Sequence, residues 1–203
     1  HNTPYEMLRS LVGSEMCIRD RYHTIQSLGN AVDFGDLTAP TGYNCNGIMS
    51  STRGITSGGY SPDAPTIVDK MEFVTMATLG NATDFGNLSR ATQSASGASN
   101  STRGLICGGR NPSIENNIEF ITIATTGNTT DFGDLAQTGL GGDVNALSSP
   151  TRCVISGGGA PSGGKIGFVE ISTLGNSTFF GDLTLAGTSL QSAGTVSNPH
   201  GGL

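Results

Sequence analysis

Gly29-Asn30-Ala31-Val32-Asp33-Phe34-Gly35-Asp36-Leu37 decides the fold, because the chain writes it again, with small changes, from Gly80, Gly127 and Gly175. The intervals are 51, 47 and 48 residues, and a period of this size marks an array of small stacked sheets. Three copies carry Asp-Phe-Gly (Asp33-Phe34-Gly35, Asp84-Phe85-Gly86, Asp131-Phe132-Gly133), while the fourth reads Phe179-Phe180-Gly181. A second signature keeps step with the first: Ser51 to Gly59, Ser101 to Gly109 and Pro150 to Gly158, with Arg53, Arg103 and Arg152 in one column. A third is the apolar run before each Gly-Asn: Tyr22 to Leu28, Met71 to Leu79, Ile118 to Thr126 and Ile166 to Leu174. In Met71-Glu72-Phe73-Val74-Thr75-Met76 apolar groups fall on both alternating faces, as in a strand whose sheet is covered on both sides.

Each period supplies four short strands. In the second full unit they are Thr92 to Ala98, Arg103 to Cys107 ended by Gly108-Gly109, Asn117 to Thr125, and Asn128 to Leu135. The expected fold class is all-β, with four-stranded antiparallel blades that cannot bury both faces alone and so must stack on neighbours. Stacked in closed form they make a β-propeller; stacked without closure, an open arc. The chain opens on the last two strands of one unit (22–37), runs through three full units and stops as another begins, so it reads as truncated at both ends. Tyr22, Phe73, Phe120 and Phe168 form one ring column and Phe34, Phe85, Phe132 and Phe180 another, both expected to fill the gaps between blades.

Glycine supplies 31 of the 203 residues, twice the ordinary share of about 7%, in keeping with many tight turns. A net charge of −6 with no Lys/Arg concentration excludes a nucleic-acid-binding surface. Residues 1–21 lack the repeat composition, and their longest uncharged run, Ser10 to Ser14, is too short for a signal h-region or a bilayer span. They are set aside as a non-repeat leader, artefactual or disordered, and residues 22–203 are taken as the repeat array. Neither a signal peptide nor a transmembrane segment is read in the chain. Beyond Cys17 in the leader, Cys45, Cys107 and Cys153 suggest neither a zinc site nor a disulfide framework, and Cys107 and Cys153, in the strand columns of Ser156 and Gly104, read as small buried fillers.

Two motifs tempt and fail. Asp-Phe-Gly is the metal-binding triplet of protein kinases, but three copies without a β3 Lys or a His-Arg-Asp loop make Asp33, Asp84 and Asp131 turn residues, their carboxylates bonding backbone N–H groups. Gly159 to Lys165 approaches a phosphate-binding loop, yet Ile166 replaces Ser/Thr and a strand, not a helix, follows. The Arg column reads as an ion pair or backbone hydrogen bond repeated in each blade, with Asp33, Asp84 and Asp131 the candidate partners; a ring of cations around a channel is the rival reading.

The Arg-Gly-apolar-apolar-x-Gly-Gly strand, the Glu-bearing strand after it (Glu72, Glu119) and the period resemble the kelch and galactose-oxidase central-domain β-propellers over residues 22–203. The chain departs from that pattern where Phe stands for the usual Trp near the last strand. Gly-Asn-Ala-Thr-Asp-Phe-Gly-Asn-Leu and Ser-Asn-Ser-Thr-Arg-Gly-Leu resemble more closely the tandem arrays of virion and tail proteins of marine bacteriophages. Residues 7–21 resemble a translated sequencing-adaptor tract found at the ends of unrelated environmental protein predictions.

These resemblances imply a non-enzymatic structural or binding segment of a virion or tail-fibre-type protein, located in the virion, with other virion proteins or a host-surface glycan or protein as partners. A cellular kelch-type protein-interaction module is the alternative. A sugar oxidase of the galactose-oxidase kind would need two His and two Tyr copper ligands and a Cys crosslinked to Tyr. The chain offers only His1, His23 and His200, with Tyr5, Tyr22, Tyr43 and Tyr60. No cofactor, metal or catalytic residue is expected, nor membrane insertion, while self-association through open blade edges is. Binding is expected in the loops that vary between repeats, Tyr60 to Asp69, Arg110 to Asn116 and Gly139 to Ala146, with Tyr60, Asp63, Arg110, Asn111, Asp143 and Asn145 as contacts.

Overall fold

The computed structural model describes residues 17–23, 28–41, 45–62, 66–136, 142–158 and 164–183. Every regular element among them is a strand, so no helix there is long and apolar enough to cross a membrane. β1 (Cys17–Tyr22) and β2 (Val32–Thr41) form a two-stranded antiparallel sheet. β3 (Asn46–Met49) and β4 (Arg53–Ser57) open the first four-stranded sheet. A small pair, β5 (Tyr60–Ser61) with β6 (Thr66–Ile67), interrupts it before β7 (Lys70–Thr75) and β8 (Thr83–Asn87). β9 (Ser96–Ser99), β10 (Arg103–Cys107), β11 (Asn117–Thr122) and β12 (Thr130–Asp134) make the second four-stranded sheet. β13 (Val144–Ser148), β14 (Arg152–Gly157), β15 (Lys165–Glu170) and β16 (Thr178–Asp182) make the third. The protein is all-β, an array of antiparallel blades whose strands neighbour one another in chain order.

The registers repeat as the period requires. Tyr22 faces Val32, Phe73 faces Thr83, Phe120 faces Thr130 and Phe168 faces Thr178, and just beyond each pair the ladder slips by one residue. Glu72 pairs with Asp84 but Met71 with Gly86, so Phe85 is the extra residue of a β-bulge, as are Phe34, Phe132 and Phe180. A bulge re-aims one side chain out of the sheet's alternation. Asp33, Asp84 and Asp131 are therefore exposed strand residues beside a bulge and not turn residues, which corrects the reading from sequence.

The expected strands overran. The runs from Met71, Ile118 and Ile166 leave the ladder after Thr75, Thr122 and Glu170, where the N–H groups of Thr78, Thr125 and Thr173 turn back onto those residues' carbonyls at 3.3, 3.2 and 3.1 Å. The strand expected from Thr92 starts at Ser96, because Ser94 takes φ +58°. β1 begins at Cys17, inside the segment set aside as leader, and Arg19 to Tyr22 fill the register of Lys70 to Phe73. Residues 24–27 of the strand expected from Tyr22 lie outside the described residues.

Among the described residues the apolar clusters lie between blades. Phe34 and Leu37 meet Val74 and Ala82; Ile48, Ile55, Met71, Phe85 and Leu88 meet Ile106, Ile121 and Ile123; Leu105, Cys107, Ile118 and Phe132 meet Val144, Cys153, Ile155 and Ile171. Phe34, Phe85 and Phe132 are 5%, 2% and 2% exposed, as expected of rings filling gaps, but Phe180 is 59% exposed. The last blade's outward face carries no blade among the described residues. Phe73, Phe120 and Phe168 are half-buried, each edge-on to the bulged ring of its own blade. Cys45, Cys107 and Cys153 form no disulfide; Cys107 and Cys153 are buried, as read from their columns, and Cys45 is exposed. A hydrogen bond with Cys153, then burial, pushes the Cys107 thiol well above its ordinary value.

Blades are joined by the quoted signature itself. The N–H of Gly80, Gly127 and Gly175 donates to the carbonyl of Phe34, Phe85 and Phe132 of the preceding blade at 2.9, 2.7 and 2.9 Å. The Asn that follows each Gly accepts, through Oδ1, the N–H of Asp36, Asn87 and Asp134 at 3.1, 3.0 and 2.9 Å. Two residues after each Gly, the N–H of Ala82, Thr129 and Ser177 closes the clamp on the carbonyl of the same three residues. Along the first strands a serine ladder does similar work: Ser99 Oγ donates to Met49 O and Ser148 Oγ to Ser99 O, both at 2.7 Å.

Behind two clamps sits a buried carboxylate. Glu119 accepts from Ser89 N, Ser89 Oγ, Asn117 Nδ2 and Thr129 Oγ1, and Glu72 accepts from Thr38 Oγ1 and Lys70 Nζ. In the last blade the set changes together: Gly167 replaces the Glu, Ala136 replaces the Ser, and Ser177 Oγ accepts Ala136 N at 2.9 Å. Glu119→Ala leaves the partly buried donors of Ser89, Asn117 and Thr129 without their acceptor, so it is expected to cost about 1–3 kcal/mol in urea unfolding. A loss under about 0.5 kcal/mol, the size of an ordinary surface substitution, would contradict this role.

Candidate functional site

The Arg column is structural. Arg53 and Arg103 lie over Phe73 and Phe120 at 4.5 Å and donate from Nη1 to the carbonyls of Ile123 and Ile171 in the following blade, at 2.9 and 2.8 Å. The backbone-hydrogen-bond reading holds, but the acceptor is a carbonyl of the next blade and not Asp33, Asp84 or Asp131. Arg152 stacks on Phe168 at 4.4 Å and pairs with Glu170 of its own blade at 2.7 Å.

The variable loops give the candidate contact surface. Arg110 lies early in the connection between β10 and β11, held by paired backbone hydrogen bonds with Gln93 (2.9 and 3.3 Å) and a bridge to Ile114. Its guanidinium reaches Asp143 of the following blade at 3.5 Å, so two of the expected contacts, distant in sequence, meet across a blade boundary. Asp143 sits at φ +55°, next to Gly142, where an added Cβ would lie 3.1 Å from Ile114 Cγ1. Ile114 is itself 48% exposed. Asn111 is exposed, its Nδ2 donating to Ala91 O at 3.0 Å. Arg90 and Glu115 pair nearby at 2.9 Å; burial raises the Glu115 carboxyl, which Arg90 partly offsets and Glu119 reinforces.

Two expected contacts fall away from this patch. Asn145 is buried within β13, opposite Ser156, because the strand begins earlier than the loop reading allowed. Tyr60 is half-buried in β5, which packs against β2, so it serves a different blade boundary. Asp63 and residues 139–141 lie outside the described residues. Ile114 was not singled out in the sequence, although it stands within the 110–116 loop; its one signal is a large apolar group in an otherwise polar connection.

His23 is exposed, and His1 and His200 lie outside the described residues. Among the described residues no group of three or more His, Cys, Asp or Glu is placed to hold a metal ion. Residues 159–163 of the phosphate-loop look-alike are outside the described set, and its Lys165 pairs with Asp182 at 2.7 Å. An open, shallow depression lies where β11 meets the following blade-joining turn, lined by Thr122, Thr125, Thr126 and Asn128 over Phe85 and Phe120. No protein-family model matches the chain, and no curated protein matches it.

Proposed function

We propose that the chain is a non-enzymatic blade array of the virion or tail-fibre type, a rigid scaffold that displays a binding face to a host-surface glycan or protein. The observation that supports it most is the Arg110–Asp143 pair, which joins variable loops of adjacent blades while the repeated Gly-Asn pairs hold the blades together. The patch offers a guanidinium and a carboxylate, groups that hydrogen-bond the hydroxyls of a glycan. A kelch-type protein-interaction module would use the same face, and the exposed Ile114 favours that second reading.

The test is glycan-array binding of the full chain beside Arg110→Ala and Asp143→Ala. The expected result is selective binding that falls about tenfold or more in each variant, a loss near 1.4 kcal/mol, with unchanged melting. Binding that survives both substitutions would move the site elsewhere, and capture of no glycan would sink the glycan reading in favour of a protein partner.

A further inference from the structure

We propose that the outward face of the last blade, Phe180 to Asp182, is a docking site for the Gly29–Asn30 segment of a second copy of this chain, so that chains associate head to tail. The inference stands on the repeated clamp and is independent of the Arg110–Asp143 patch. Three times the same face receives the same partner: Phe34 to Asp36 takes Gly80-Asn81, Phe85 to Asn87 takes Gly127-Asn128, and Phe132 to Asp134 takes Gly175-Asn176. Phe180-Gly181-Asp182 repeats the receiving half and Gly29-Asn30 the inserting half. Among the described residues no hydrogen bond joins these two.

Among the described residues, the groups that join the other blades make no such contact at this face. Phe180 is 59% exposed where its counterparts are at most 5% exposed. Arg152, whose counterparts reach a carbonyl of the next blade, turns back onto Glu170. Gly181 differs in conformation as well. Gly35, Gly86 and Gly133 sit at φ +156°, +142° and +146° with the next blade's Gly carbonyl against them, while Gly181 is outside that region and an added Cβ there meets nothing within 4 Å. One chain thus carries both halves of an interface it already makes three times. Because the two halves differ, the contact is heterologous and builds oligomers or filaments instead of a two-fold dimer.

Gly181→Ala isolates this contact, since the methyl has room in the lone blade but would strike the incoming Gly29 carbonyl as it would at Gly133, where that distance is 2.5 Å. Light scattering and sedimentation of the full chain across a dilution series are expected to show mass rising with concentration. Gly181→Ala should weaken association about tenfold or more without lowering the melting temperature of the monomer. Asn30→Ala, which removes the inserted acceptor, should do likewise and decides the matter if the glycine variant fails to fold. Mixing the two variants should restore dimers and nothing larger. A wild-type chain that stays monomeric throughout overturns the proposal, as does assembly that both variants leave intact; a monomer whose melting Gly181→Ala lowers indicates a ring closed within one chain.

Discussion

Phe132→Ala is expected to destabilise the chain by about 3–5 kcal/mol, whereas Phe180→Ala, the same residue of the repeat one blade on, should cost under about 1 kcal/mol. Phe132 is the bulge residue of β12, 2% exposed, edge-on to Phe120 at 6.2 Å, and closes the cluster that includes Val144, Cys153 and Ile155 of the next blade. Removing the ring deletes its transfer free energy and leaves a cavity that two facing sheets cannot collapse into, since both are held apart by clamps. Phe180 stands at 59% exposure with no blade opposite among the described residues. Urea midpoints of the two variants, taken in dilute solution, check the contrast. Equal losses would mean that the rings contribute inside their own blades and not between them.

Gly133→Ala is the second large effect, and it acts on the backbone. Gly133 has φ +146°, a region nearly closed to L residues, and a Cβ there would lie 2.5 Å from Gly175 O. The conformational strain alone costs about 1–3 kcal/mol, and relieving the clash requires Gly175 to withdraw from the Phe132 carbonyl it donates to at 2.9 Å. The expected outcome is a loss of at least about 3 kcal/mol, with the last blade becoming protease-sensitive before the others. A variant that resists protease at both ends of the array like the wild type would show that the bulge tolerates a side chain, and that the clamp is not a fixed element.

The period, the four strands per unit and the identity of β10 (Arg103–Cys107) were legible because they depend on local alternation and on Gly-Gly punctuation. The rings of Phe34, Phe85 and Phe132 were legible for the same reason: a large apolar group recurring once per unit has only the neighbouring unit to pack on. What lay hidden was longer in range. The acceptor for Arg53 stands 70 residues away, on Ile123, and is a carbonyl, a group every residue carries and no sequence can single out. The roles within the quoted signature were inverted: the acceptor side chain is the Asn that follows the first Gly, acting on the preceding blade, while the Asp before Phe points outward. A bulge was not foreseen, since one slipped residue leaves the apolar pattern almost unchanged yet decides which way Phe85 points. The joint exchange of Glu119 and Ser89 for Gly167 and Ala136 was visible in the repeats, but its meaning needed the contact between blades. At the candidate site, Arg110 and Asp143 were legible as loop residues, and their meeting across a blade boundary was not.

The central claim is that neighbouring blades are fastened by main-chain clamps at the Gly-Asn pairs, and amide hydrogen exchange by NMR on the dilute chain tests it most directly. Gly127 and Gly175 are exposed as residues, so solvent access alone would let their amides exchange as fast as that of the equally exposed Gly29. The clamp predicts slow exchange at Gly127 and Gly175, whose N–H groups bond Phe85 O and Phe132 O at 2.7 and 2.9 Å, and fast exchange at Gly29. Exchange at Gly127 and Gly175 as fast as at Gly29 would contradict the account.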